Sequence, residues 1–129
     1  MSHLIGSKVA TESELNSLPP SVLAAALKAD GIVYSIDPDF SDTSEFSEKY
    51  GVPLGQCANT IVTVSGRGEN AKFSLALVPA SRRLNTKVIQ KTVGGRTSFA
   101  RPEDAARVTG MEFGAITPLG VLPTDVVNG

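Results

Sequence analysis

At 129 residues the chain is long enough for one domain with a single core and too short for two. Hydrophobic residues make up 41% and charged residues 19%, proportions that exclude a disordered tail, and no apolar run approaches the roughly 20 residues that span a bilayer. The formal net charge of -1 excludes a uniformly basic nucleic-acid-coating protein.

The first 16 residues, with acids and no long apolar centre, do not read as a signal peptide and show no clear periodicity, so a loose arm over 1–16 is expected, followed by one domain over 17–129. The single cysteine, Cys57, permits no internal disulfide, which suits a reducing, cytoplasmic setting. Pro19–Pro20 opens an alanine- and leucine-rich helix expected to stop at Gly31 with a left-handed cap. Ile32–Ile36 is β-branched and reads as a strand. Asp42 with Glu45 resembles a capping box, and Phe46 and Tyr50 lie one turn apart ahead of Gly51, which predicts a second helix. Cys57–Val64 and the segment 72–80 read as two strands of a hairpin joined by a glycine-containing turn.

Asn85 is placed to cap a helix over 86–93 that ends at Gly94–Gly95. Thr97–Ala100 is a short strand candidate. Arg101–Pro102–Glu103–Asp104 starts a last helix, with proline at its first position and acids in its first turn, and Gly110 stops it. Residues 110–123, rich in glycine and proline, read as an ordered loop. The order of elements predicts a mixed α+β or α/β domain.

Charge is divided along the chain. Residues 1–58 carry three bases against eight acids, and residues 59–129 carry nine bases against five. Seven bases, Arg82, Arg83, Lys87, Lys91, Arg96, Arg101 and Arg107, fall in one stretch. Either they meet a phosphate-rich partner with salt-sensitive affinity or they are solvated helix faces; charge alone favours the second reading.

Several chemistries are excluded. The sole histidine, His3, lies in the expected arm, so no Ser-His-Asp or Cys-His arrangement can form within the chain. One cysteine cannot build a structural zinc site, and neither GxxxxGK[ST] nor GxGxxG occurs; no metal or cofactor is expected. Cys57 reads as a small buried hydrophobe, and Asp37 and Asp39 as solvated turn residues. Two segments stand out. In Gln56–Val62 a polar pair interrupts an apolar strand, and Asn59 either presents an amide to a pocket or is a satisfied structural asparagine. In Gly110–Pro118 the backbone can bring N–H groups close to a ligand oxygen, or simply form a tight turn.

The order GVPLGQCANTIV, KFSLALVPASRRLN and TSFARPEDAARVTGMEFGAITPLG resembles the YbaK-like family of editing domains, which is related to the editing domain of bacterial prolyl-tRNA synthetases. The resemblance covers roughly residues 40–122. It implies a mixed or barrel-like sheet with short surrounding helices and hydrolysis of the ester joining a wrong amino acid to tRNA. It puts the family's glycine–x–x–x–proline loop on Gly114, Ala115, Ile116, Thr117 and Pro118. Where the family usually has lysine this sequence has Asn59, followed by Thr60. The family also continues through a further strand and a glycine-rich segment, which are expected to be missing here.

On that resemblance Asn59 and Gly114 are the expected catalytic positions. Thr60, Gly110, Ala115, Ile116, Thr117 and Pro118 are the expected substrate contacts, and Arg82, Arg83, Lys87, Lys91 and Arg96 the expected tRNA contacts. The expected activity is aminoacyl-tRNA deacylation. The alternatives are a binding or regulatory module that kept the pocket without the chemistry, or an interaction domain of a larger assembly.

Overall fold

The computed structural model describes residues 6–119. His3 and the part of the closing loop beyond Leu119 lie outside them. The segment expected to be a loose arm holds two elements. Strand β1 (Lys8–Val9) pairs antiparallel with β2 (Tyr34–Ser35), and the Ala10 N–H extends the ladder by donating to the Val33 carbonyl at 2.8 Å. Helix α1 (Glu12–Asn16) starts with a capping box: Thr11 Oγ1 accepts from the Glu14 N–H, and Glu14 Oε1 accepts from the Thr11 N–H. Glu14 Oε2 also accepts the Ser35 hydroxyl, tying α1 to the far side of the β1–β2 pair.

Helix α2 (Pro20–Lys28) has proline in its first turn and buries Val22 and Ala26, four residues apart on one face. Its end differs from expectation. Asp30, at φ 58°, occupies the left-handed position, and Gly31 donates its N–H to the Ala26 carbonyl at 3.1 Å. Aspartate tolerates this conformation better than most side chains, so the helix closes one residue before its glycine. The strand expected over Ile32–Ile36 is narrower, with only Tyr34–Ser35 in ladder pairing.

A 3-10 turn (Pro38–Phe40), capped by Asp37 Oδ1 accepting the Asp39 N–H at 3.0 Å, leads into helix α3 (Thr43–Tyr50). Asp37 and Asp39 are thus exposed turn residues, as expected. Asp42 is the N-cap residue of α3, but its side chain makes no capping bond, so the expected capping box does not form. Tyr50 is 3% exposed, stacks 5.2 Å from Phe46, and accepts the Asp37 N–H on its hydroxyl at 2.9 Å.

The main sheet has the order β4-β3-β5, formed by β3 (Ala58–Ser65), β4 (Lys72–Pro79) and β5 (Thr97–Phe99). The hairpin forms as expected, in register from Ala58↔Pro79 to Ser65↔Lys72. Its turn needs glycine: Gly66 has φ +82°, and a Cβ there would sit 3.0 Å from the Asn70 carbonyl oxygen. Helix α4 (Thr86–Val93) is capped by Asn85 Oδ1 accepting from the Lys87 N–H, and α5 (Pro102–Thr109) has proline and acids in its first turn.

Strand alternation divides the sheet into two faces. Asn59, Ile61, Thr63, Ser65 and Val78 share one, and Thr60, Val62, Val64, Phe73 and Leu77 share the other. Helix α3 reaches the first through Thr43, and α5 reaches the second through Arg107, whose guanidinium lies 5.6 Å from the Phe73 ring centre. Each face contributes buried residues, Thr63, Ser65 and Val78 to one and Val62 to the other. The protein is therefore a mixed α/β domain with short helices around its sheets, as expected, and all its described ladders are antiparallel.

Hydrogen bonds from Ser35 and Thr11 hold the Glu14 carboxyl below its ordinary value of 4.5. A lowered folded-state value means that this carboxylate contributes stability above pH 4.5, which is lost as pH falls through the folded value. We expect amide exchange at Thr11 and Ser35 to accelerate as pH falls below 4.5, beyond the intrinsic change of exchange chemistry. Glu14→Gln should remove that excess, and an identical pH profile in wild type and variant would contradict the assignment.

Candidate active site

Asn59 sits at the second position of β3, opposite Val78. Its side-chain carbonyl is taken: the Thr43 hydroxyl, on the first residue of α3, donates to Asn59 Oδ1 at 2.6 Å. Among the described residues Asn59 Nδ2 has no hydrogen-bond partner, so the amide has its acceptor engaged and two N–H donors available. Both side chains are half-buried. Thr60 is carried by the same strand but points to the opposite face, opposite Leu77. Asn59 and Thr60, grouped by the sequence reading, therefore address different sides of the sheet.

An open cleft of about 330 Å³ lies beside this contact, bounded by Ser41, Thr43, Phe46, Val52, Gln56, Cys57 and Ala58. Its wall mixes hydroxyl, amide and thiol groups with one aromatic and two aliphatic side chains. A second cleft, of about 280 Å³, lies between Gly55–Ala58 and Leu77–Pro79. The turn Gln56–Ala58 separates the two. Cys57 is half-buried, with its Sγ 3.9 Å from the Val52 carbonyl oxygen.

The loop after α5 is built by its own contacts. Gly110, at φ +69°, closes α5 and donates to the Ala106 carbonyl at 2.9 Å. Met111 is buried beneath the loop, and its sulfur accepts the Thr117 N–H at 3.4 Å. Ala115 donates to the Glu112 carbonyl at 2.9 Å, and Leu119 to Thr117 Oγ1 at 3.2 Å. The N–H groups of Ala115 and Thr117 are therefore engaged, whereas those of Gly114 and Ile116 have no partner among the described residues. Pro118 has no N–H to offer. No described hydrogen bond joins the loop to Asn59 or Thr60, and neither cleft is lined by any loop residue. These two clefts lie between α3, β4 and the turn before β3.

All seven bases from Arg82 to Arg107 are exposed. Arg101 pairs with Glu103 at 3.7 Å and Asp104 at 3.2 Å, and Arg107 pairs with Asp104 at 3.5 Å. Arg82, Arg83, Lys87, Lys91 and Arg96 have no ion-pair partner among the described residues. Sequence reasoning missed Thr43 and Ser41. Thr43 lies 16 positions from Asn59 and carries no local signal beyond membership of a helix's first turn. Among the described residues no group of three or more His, Cys, Asp or Glu is arranged to hold a metal ion, and no helix is long and apolar enough to cross a membrane.

Residues 37–127 match the aminoacyl-tRNA editing domain family, and the chain belongs to that family. It is 37% identical over 79 residues to the multifunctional Ser/Thr-tRNA deacylase ProXp-y of Escherichia coli, covering 60% of this chain and 47% of that protein. It is 28% identical over 91 residues to a proline–tRNA ligase of Fervidobacterium nodosum, covering 70% of this chain and 15% of the ligase. The chain thus spans about half or less of the curated relatives it matches. A crystal structure described as a candidate trans-editing enzyme for prolyl-tRNA synthetase superposes with a TM-score of 0.64 at 27% identity, covering 81% of this chain and 68% of that one.

Gly114 has φ +93°, and a Cβ there would meet nothing within 4 Å, so any cost of adding one lies in the backbone itself. Gly114→Ala should lower stability by about 1–2 kcal/mol, the usual penalty of an L-residue in left-handed conformation. Urea denaturation followed by circular dichroism measures it. Unchanged stability would mean that the loop does not hold this conformation in solution.

Proposed function

We propose that the chain is an aminoacyl-tRNA deacylase acting in trans, which hydrolyses the ester of a mischarged tRNA in the cytoplasm, where aminoacyl-tRNA is made and used. Membership of the editing-domain family over residues 37–127 carries the reading, and the mixed cleft beside the Thr43–Asn59 contact supports it. In the proposed reaction water attacks. Its oxygen adds to the ester carbonyl carbon, the bond to the ribose oxygen breaks, and free amino acid and a tRNA hydroxyl result. Asn59 Nδ2 donates to a substrate oxygen. The unengaged N–H groups of Gly114 and Ile116 are the loop's candidates for steadying the carbonyl as charge develops.

The small mixed cleft suits a short side chain bearing a hydroxyl or thiol. Editing of such residues is needed because a single methylene gives a synthetase only about 1–3 kcal/mol of discrimination. The relative named for Ser/Thr-tRNA deacylation is in keeping with that class. Purified protein should release amino acid from at least one of seryl-, threonyl-, alanyl- and cysteinyl-tRNA, and Asn59→Ala should reduce the rate about 10–100-fold with the fold intact. No release above the uncatalysed rate across the whole panel would remove the hydrolase reading.

One feature favours a second reading. Where family members usually carry lysine the chain has neutral Asn59, which can hydrogen-bond a phosphate or ribose but cannot neutralise charge. In that reading the domain binds the tRNA 3′ end without turnover, and Asn59→Lys would add hydrolysis that the wild type lacks.

The basic stretch fits a tRNA partner through Arg82, Arg83, Lys87, Lys91 and Arg96. Each lost phosphate contact should lower the salt slope of binding by about one unit, with amino-acid preference unchanged. The double substitution Arg83→Glu plus Lys87→Glu, titrated against tRNA at two salt concentrations, checks this. Affinities equal to wild type at both salts would make these bases merely solvated surface.

A further inference from the structure

We infer that Thr43 is a positioning residue: by donating its hydroxyl proton to Asn59 Oδ1 it fixes the amide so that Nδ2 presents both N–H groups to a substrate oxygen. This inference rests on the hydrolase reading only in its choice of substrate. A side-chain amide can rotate by half a turn about its last bond and exchange its oxygen for its nitrogen at similar steric cost. At position 59 the oxygen end of the amide faces the Thr43 hydroxyl, which approaches Oδ1 at 2.6 Å in a half-buried contact. The consequence is electrostatic. With Oδ1 engaged and Nδ2 without a partner among the described residues, position 59 acts as a donor toward its surroundings, as a lysine would, but without net charge.

Thr43 is well placed for this role. It is the first residue of α3 and lines the same cleft as Ser41, Phe46 and Gln56. It therefore couples the wall of the cleft to the strand that carries Asn59. The ligand class that a fixed N–H pair recognises is an oxygen acceptor: the ester carbonyl, or the hydroxyl of the adjoining ribose, of a terminal aminoacyl-adenosine.

The test uses the full chain and 3′-deoxy-3′-(L-serylamino)adenosine, an amide-linked mimic of seryl-adenosine that cannot be hydrolysed at the ester position, with affinity read by calorimetry. Thr43→Val keeps the shape and removes the hydroxyl. It should weaken binding about tenfold, the scale of one well-placed hydrogen bond, and Thr43→Ser should stay within about twofold of wild type. Asn59→Asp tests the donor that Thr43 is inferred to hold. It keeps an acceptor for Thr43 but has no donor, so it should bind as poorly as Asn59→Ala. Wild-type affinity in Asn59→Asp would mean that no N–H at position 59 meets the ligand, and that result overturns the inference. Equal affinity of wild type and Thr43→Val overturns it as well. If Thr43→Val does not fold, Thr43→Ala takes its place under the same criterion. No binding of the mimic by wild type also overturns it, while release of serine from seryl-tRNA, measured in parallel, shows separately whether the hydrolase reading stands.

Discussion

The arrangement depends first on the register of β3 against β4. Eight consecutive pairs, Ala58↔Pro79 through Ser65↔Lys72, assign each side chain of β3 to one face or the other. Side chains alternate with a period of two, so a slip of one residue would turn Asn59 away from Thr43 and bring Thr60 in its place. Two features pin the register: the tight turn at Gly66, where a side chain would press on the Asn70 carbonyl, and the added bond from the Ala80 N–H to the Cys57 carbonyl at 2.8 Å. The middle of the strand is also the most enclosed part of the domain. Thr63 is fully buried, with its hydroxyl unpartnered among the described residues.

Once the register is set, the chemistry of position 59 follows from what α3 offers it. Lysine has donors and no acceptor; asparagine has both. With lysine at 59 the Thr43 hydroxyl would lose its acceptor and could only accept a hydrogen bond from the ammonium, reversing the direction of the contact. With asparagine the hydroxyl donates and the amide passes donor character onward from its nitrogen. On the proposed reading the pair Thr43–Asn59 is one unit, a donor held from α3 that carries no net charge.

Much of this was legible from sequence where the signal is local. The two long strands, their glycine turn, the Asn85 cap and the proline-led start of α5 rest on neighbours within a few residues, and all appear in the structure. What escaped depends on distant partners. The β1–β2 pair has only two residues per strand and forms because α1 and α2 return the chain to it, with Glu14 reaching Ser35 across 21 positions. The stop of α2 at Asp30 was hidden because Gly31 offered the commoner solution. In the site, Asn59 was visible as a polar interruption of an apolar strand, whereas Thr43 had no mark of its own. The grouping of Asn59 with Thr60 followed sequence adjacency, which in a strand means opposite faces.

The topology also orders the unpaired cations in space. Strand β4 runs back toward the start of β3, so Arg82 and Arg83 leave the sheet at the Ala58 end, and Ser81 lies close to Gly55 at the edge of the clefts. The chain then returns through α4 to β5, whose pairing begins at the opposite end: the Arg96 carbonyl accepts from the Gly66 N–H, and Thr97 pairs with Ser65. Between Ala58 and Ser65 the strand covers about 23 Å at roughly 3.3 Å per residue. Arg82 and Arg83 therefore follow the strand end that pairs with Ala58, and Arg96 stands where β5 joins the Ser65 end of β3, because the hairpin reverses the chain and α4 intervenes before it rejoins the sheet, while Arg101 and Arg107 further along the chain pair with acids of their own helix.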